Sequence, residues 1–136
     1  MTKPRIIIAA LAAAVLLVSG CSQKYAAERD GKKLGEAVCD LRDADSPAEA
    51  DEALADINEQ MDDLAGKYAF YTAEDRADIQ NNLADFYEHV IQGQPELVQQ
   101  DLTVLERSAD NIADDVNETS SAAWEGVLEG LADCTQ

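Results

Sequence analysis

One histidine and several clusters of carboxylates are the side chains with which this sequence could do chemistry. His89 follows Asp85 by one helical turn, a spacing at which a carboxylate can orient an imidazole for acid/base work. Such a pair acts on a nucleophile or a bound substrate, and no Ser–His–Asp or Cys–His arrangement accompanies it. The acids Asp43 and Asp45, Asp62-Asp63, Glu74-Asp75 and Asp114-Asp115 could hold a divalent cation. None follows the calcium-loop pattern with its central Gly and distal Glu. The Glu-x-x-His pair of di-iron bundles is also missing, as is any glycine-rich phosphate loop. The acidic pairs therefore read as solvated faces between apolar stripes, and His89 as a histidine at a core boundary. No catalytic residue, cofactor or metal site is expected, and the chain is not expected to be an enzyme.

The N-terminus carries a different kind of chemistry. Lys3 and Arg5 precede an apolar run of 13 residues, Ile6 to Val18, which ends in Ser19-Gly20-Cys21. As a helix the run would span about 20 Å, short of the ~30 Å hydrocarbon core of a bilayer. It fits the apolar region of a secretory signal instead.

Val18-Ser19-Gly20-Cys21 resembles the lipobox of bacterial lipoproteins. The resemblance implies that residues 1–20 are a signal peptide, that the Cys21 thiol receives a diacylglyceryl group, and that Cys21 becomes the first mature residue. It further implies a protein held by acyl chains on the outer face of the bacterial cell membrane. Ser22 stands where an aspartate commonly signals retention in the inner membrane of enteric bacteria, so an outer envelope layer is also compatible. Two long chains, at about 0.8 kcal/mol per buried CH₂, hold far more firmly than one. Residues 21–33 are expected to form the lipidated N-terminus and a short leader, and 34–136 one domain.

With Cys21 committed to lipid, Cys39 and Cys134 remain. An exported chain lives where disulfides persist, and two cysteines with no Cys-x-x-Cys and no further ligands suit neither redox cycling nor zinc. A Cys39–Cys134 disulfide is expected.

Charge narrows the partners. Two of the ten basic residues, Lys3 and Arg5, precede Cys21, and all 28 acidic residues follow it, so the 116 mature residues carry eight positive against 28 negative charges, a net −20. This balance argues against nucleic acid, whose phosphates must be met with positive charge.

The elements that position these residues are helices. Only Pro47 and Pro95 interrupt a mature chain rich in Ala, Leu, Glu, Asp and Gln. Leu54, Ile57, Met61, Leu64, Tyr68 and Tyr71 recur in steps of three and four, behind a Ser46-Pro47-x-Glu49 start, which predicts a helix over 47–71. Ile79, Leu83, Phe86 and Val90 predict another over 73–92, with Thr72 and Asp75 as a capping box and Gly93 and Pro95 as its end. Val98, Leu102, Leu105, Ala109, Ile112 and Val116 predict a helix from Pro95 or Glu96 to about 117. A turn over Asn117–Ser121 would precede a final helix around Trp124, Val127, Leu128 and Leu131. Gly31 and Gly35 weaken the first stretch, where Leu34, Val38 and Leu41 predict helix only to about Ala44. Short connections favour a compact antiparallel all-α bundle of four or five helical segments, with a dimerising helical hairpin as the rival.

The expected function is that of a non-enzymatic, lipid-anchored accessory or adaptor subunit of an envelope membrane complex, steered toward a partner with a basic face. Tyr68, Phe70, Tyr71 and Trp124 either contact that partner or complete the bundle core. Two other functions fit the composition. A small-molecule or lipid carrier would need an interior pocket of ~300 Å³ or more. A divalent-metal-binding acidic bundle would need three carboxylates converging from different helices.

Overall fold

The computed structural model describes residues 23–135. The expected signal peptide, the lipobox-like Val18-Ser19-Gly20-Cys21 and the lipidation expected at Cys21 lie outside the described residues. Five helices follow one another: α1 is helical from residue 23 to 42, then α2 (Pro47–Lys67), α3 (Ala73–Ile91), α4 (Pro95–Asp115) and α5 (Glu118–Thr135). No strand occurs among the described residues. The architecture is a compact all-α bundle of five segments.

Local chemistry sets the ends. Ser46 Oγ accepts from the Glu49 amide at 3.2 Å, while the Glu49 carboxylate accepts from the Asp45 amide at 2.8 Å, one residue before the cap. At α3 the capping box is complete: the Asp75 amide donates to Thr72 Oγ1 and the Thr72 amide to Asp75 Oδ2. Gly93, at φ +66°, supplies the left-handed residue that ends α3, and the amides of Gly93 and Gln94 return to the carbonyls of Val90 and His89 in a Schellman motif. Asn117 Oδ1 accepts from the Ser120 amide at 2.9 Å, so the break before α5 is only Val116-Asn117, and 118–121 are already helical.

Two stretches depart from expectation. The second helix ends at Lys67 instead of 71, with Tyr68 extended (φ −132°, ψ 158°). Had the helix continued, Phe70 would point off its apolar face; the extended turn swings it inward until it is 1% exposed. The first helix starts far earlier than Leu34. Ala27 is fully buried and Gly31 and Gly35 are packed against α5, so residues 23–33 belong to the bundle and are not a leader.

Each helix reverses the last, so α1 and α5 run parallel. Gly31 lies against Ala123, Gly35 against Val127 and Gly130, and Cys39 against Cys134. On the other side α4 packs against both α3 and α5, burying Ile79, Leu83 and Phe86 with Leu102, Leu105 and Ile112. The interior is nearly filled. Its void is about 30 Å³, wholly apolar, between side chains such as Leu34, Met61, Leu83, Leu105 and Trp124.

Candidate functional site

The expected disulfide is present: Cys39 and Cys134 are joined, with Cα atoms 5.6 Å apart. Around it, α1 and α5 carry the same pattern of small residues. Ala27, Gly31, Gly35 and Cys39 step by four along α1, and Ala122, Gly126, Gly130 and Cys134 step by four along α5. Their contacts are related by a local two-fold. A Cβ on Gly35 would lie 2.8 Å from the Gly130 Cα, and a Cβ on Gly130 would lie 2.8 Å from the Gly35 Cα. One turn farther from the disulfide, a side chain on Gly31 would collide with the Ala123 carbonyl, and one on Gly126 with the Glu28 carbonyl. The obstacles are backbone atoms, which cannot turn aside. Arg42 completes the closed end by donating from Nη1 to the Cys134 carbonyl at 2.6 Å, a cation on the last turn of a helix with no basic residue of its own there.

Tyr68, Phe70, Tyr71 and Trp124 gather at the opposite end. Phe70 and Trp124 stack with ring centroids 4.1 Å apart and planes 3° from parallel, and Trp124 Nε1 donates to the Phe70 carbonyl at 2.6 Å. Tyr71 leans on both rings. With Phe70 and Trp124 buried, this group is a plug for the core, and only Tyr68 and Tyr71 retain partial exposure. Tyr68 OH donates to Asp30 at 3.2 Å, tying the end of α2 to α1. Burial first, and the Asp30 charge second, push the Tyr68 phenol up from 10.0; burial also raises Tyr71.

His89 does not pair with Asp85. Its Nδ1 lies 2.6 Å from Asp101 Oδ2, so it bridges α3 to α4. Asp62 of the second acidic pair meets Arg76 at 3.0 Å, and Asp75 is engaged in its cap. Among the described residues no group of three or more His, Cys, Asp or Glu side chains converges to hold a metal ion. No described helix is long and apolar enough to cross a membrane.

Compared with known protein families, curated proteins and solved structures, the chain matches none. Its surface must therefore be read by itself. An open groove of about 670 Å³ runs between the end of α1 and the first half of α2, lined by Asp40, Asp43, Glu49, Glu52, Asp56 and Glu59 with only alanines between them. One cation touches this lining, Arg42, whose Nε donates to Asp43 Oδ1 at 2.9 Å. A second groove of similar size, between α4 and α5, mixes Glu106 and Asp110 with Arg107 and uncharged residues. Of these six only Asp43 belongs to the acid pairs read from the sequence, where Glu49 is a capping residue and Asp40, Glu52, Asp56 and Glu59 carry no signal. Carboxylates spaced along two helices make one surface only after the α1–α2 turn folds them together.

Proposed function

We propose that this protein is a non-enzymatic, lipid-anchored subunit of a cell-envelope membrane complex, acting as an accessory or adaptor. Acyl chains on Cys21 would hold it to the outer face of the cell membrane, or to an outer envelope layer, and its acidic bundle would meet a partner with a basic face. The α1–α2 groove carries this reading. Six carboxylates, of which Asp43 is paired with Arg42, set up a net negative potential that attracts and orients a basic surface and repels an acidic one. The anchor adds to this by raising the local concentration of the bundle beside membrane proteins.

The two other functions find less support. The interior void of about 30 Å³ is a tenth of the ~300 Å³ at which ligand pockets begin. No metal-sized convergence of ligands stands among the described residues.

The test is affinity isolation of the mature protein from gently solubilised native membranes, with Cys21→Ala as control and mass spectrometry of everything retained. Stoichiometric recovery of one assembly is expected. It should be weakened by Cys21→Ala, by the triple change Glu49→Gln, Glu52→Gln and Asp56→Gln, and by salt, since exposed charges are screened within about 8 Å at physiological ionic strength. Recovery of the bundle alone would overturn the subunit role.

A further inference from the structure

Resting on the proposed Cys21 anchor, we propose that the bundle stands upright on the lipid surface, its aromatic end against the headgroups and its disulfide end held away from them. Geometry supplies the first argument. Cys21 precedes the first described helical residue by only two positions, so in any conformation its Cα lies within about 7 Å of the start of α1. Acyl chains at Cys21 therefore bring the residue 23 end of the bundle to the membrane. That end also contains the 68–72 turn and the Val116-Asn117 break, because α2 and α4 descend to it.

The side chains there suit an interface between lipid and water. Tyr25 is 69% exposed, more than any other large hydrophobic residue described, and the Arg29 guanidinium sits 5.8 Å over its ring. A tyrosine backed by a cation is the kind of residue that settles at headgroup level. Charge along the axis points the same way. With each helix divided at its midpoint, the 28 carboxylates fall 14 to each half of the bundle. Six of the eight cations of residues 23–135, among them Lys24, Arg29, Lys67 and Arg76, fall in the half that holds Tyr25. Only Lys33 and Arg42 fall in the other. The net charges are −8 and −12, so an anionic leaflet repels the disulfide end more strongly.

Upright, a 20-residue helix sets the disulfide end and the neighbouring mouth of the acidic groove about 30 Å above the lipid. The basic face it meets would then belong to an ectodomain of that reach, beyond the headgroup layer.

The orientation is tested with the full lipidated protein in vesicles of equal parts phosphatidylethanolamine and phosphatidylglycerol. Photoreactive benzoylphenylalanine replaces, one at a time, Tyr25, Ala69, Glu36, Val104 or Gln92, all exposed positions. Lipid adducts at Tyr25 and Ala69 are expected to exceed those at the α1 flank (Glu36), the α4 flank (Val104) and the far end (Gln92) several-fold. An acylated protein whose adducts are even across the five positions, or strongest at Glu36, Val104 or Gln92, overturns the upright orientation alone. A mature chain whose mass shows no diacylglyceryl group at Cys21 overturns the anchor, and the orientation with it.

Discussion

Where α1 meets α5 the chain sets backbone against backbone, whereas α3 and α4 meet through Leu, Ile, Val and Phe side chains. The first contact is made by what is missing: four glycines and two alanines let two parallel helices approach until a Cβ would strike the neighbouring main chain. Membrane helices use the same small-xxx-small spacing to pack closely. The second contact is the ordinary one of a bundle, with interdigitating side chains that can adjust their rotamers. A small-residue seam is costly to make in water. Each glycine lowers helix stability by roughly 0.5–1 kcal/mol relative to alanine and brings no side chain of its own to bury. The Cys39–Cys134 bridge closes a loop with a sequence separation of 95, which chain entropy values at of order 4 kcal/mol, similar to the penalty of four glycines. The disulfide thus sits on the contact that needs it.

If this contrast holds, the largest effect should come from adding atoms to the seam. Gly126→Leu would drive a side chain into the Glu28 carbonyl, and we expect at least ~3 kcal/mol of destabilisation in denaturant titrations, at the upper end of overpacking costs because backbone must move. Leu102→Met, a volume-conserving swap at a fully buried position in α4, should cost less than ~1.5 kcal/mol in the same assay. Equal losses would erase the distinction between the two contacts. Next in size is the bridge itself. Cys39→Ser with Cys134→Ser should lower stability by about 2–4 kcal/mol. Hydrogen exchange should show the loss first in α1 and α5, with α3 and α4 still protected; uniform loss of protection would mean that the seam and the side-chain core open as one unit.

The same contrast explains what could be read from the sequence. The starts of the helices with large apolar residues at steps of three and four were legible almost to the residue, as were the Thr72 capping box and the end of α3 at Gly93. Periodicity of large side chains is blind to α1 before Leu34, since the face it buries there is Ala27 and Gly31. Read singly, Gly31 and Gly35 look like helix breakers. Read together with Gly126 and Gly130, at the same 95-residue offset as the two cysteines, they mark a pairing surface, and that repeat was the available signal. The end of α2 was hidden for another reason. Tyr68 and Tyr71 continue the helical spacing, and only Trp124, distant in sequence, supplies the stacking partner and donor that make an extended 68–72 the better solution. The disulfide was legible from cysteine parity once Cys21 was set aside. The acidic groove was not, because its two walls come together only through the α1–α2 turn.

A smaller effect probes the plug that joins the two regions. Trp124→Phe keeps an aromatic ring against Phe70 but deletes the donor to its carbonyl, leaving a buried acceptor without its partner. The expected cost is about 1–3 kcal/mol in thermal or chemical unfolding. Near-UV circular dichroism should change with the loss of the Phe70–Trp124 stack, while far-UV signal stays. A variant as stable as the parent would mean that the hydrogen bond contributes nothing beyond ring packing.

The smallest effect lies on the seam's own surface and carries a pH signature. Glu28 of α1 faces Glu129 and, more weakly, Glu125 of α5, and the repulsion of Glu129, followed by a hydrogen bond between the two carboxyls, raises Glu28 above its usual 4.5. A carboxyl raised in the folded state favours folding where it is protonated, below 4.5, and that contribution is lost as pH rises through the raised value. Above that range the repulsion between Glu28 and Glu129 acts across the seam. Glu129→Gln should therefore stabilise the protein at pH 7, by only a few tenths of a kcal/mol because water screens groups this exposed. Thermal unfolding followed well below and well above 4.5 should show the gain only on the alkaline side. A gain of the same size at both would trace it to helix propensity in α5 and not to repulsion across the seam. Absence of a gain at neutral pH would mean that the disulfide and the glycine contact hold the two carboxylates together without measurable strain.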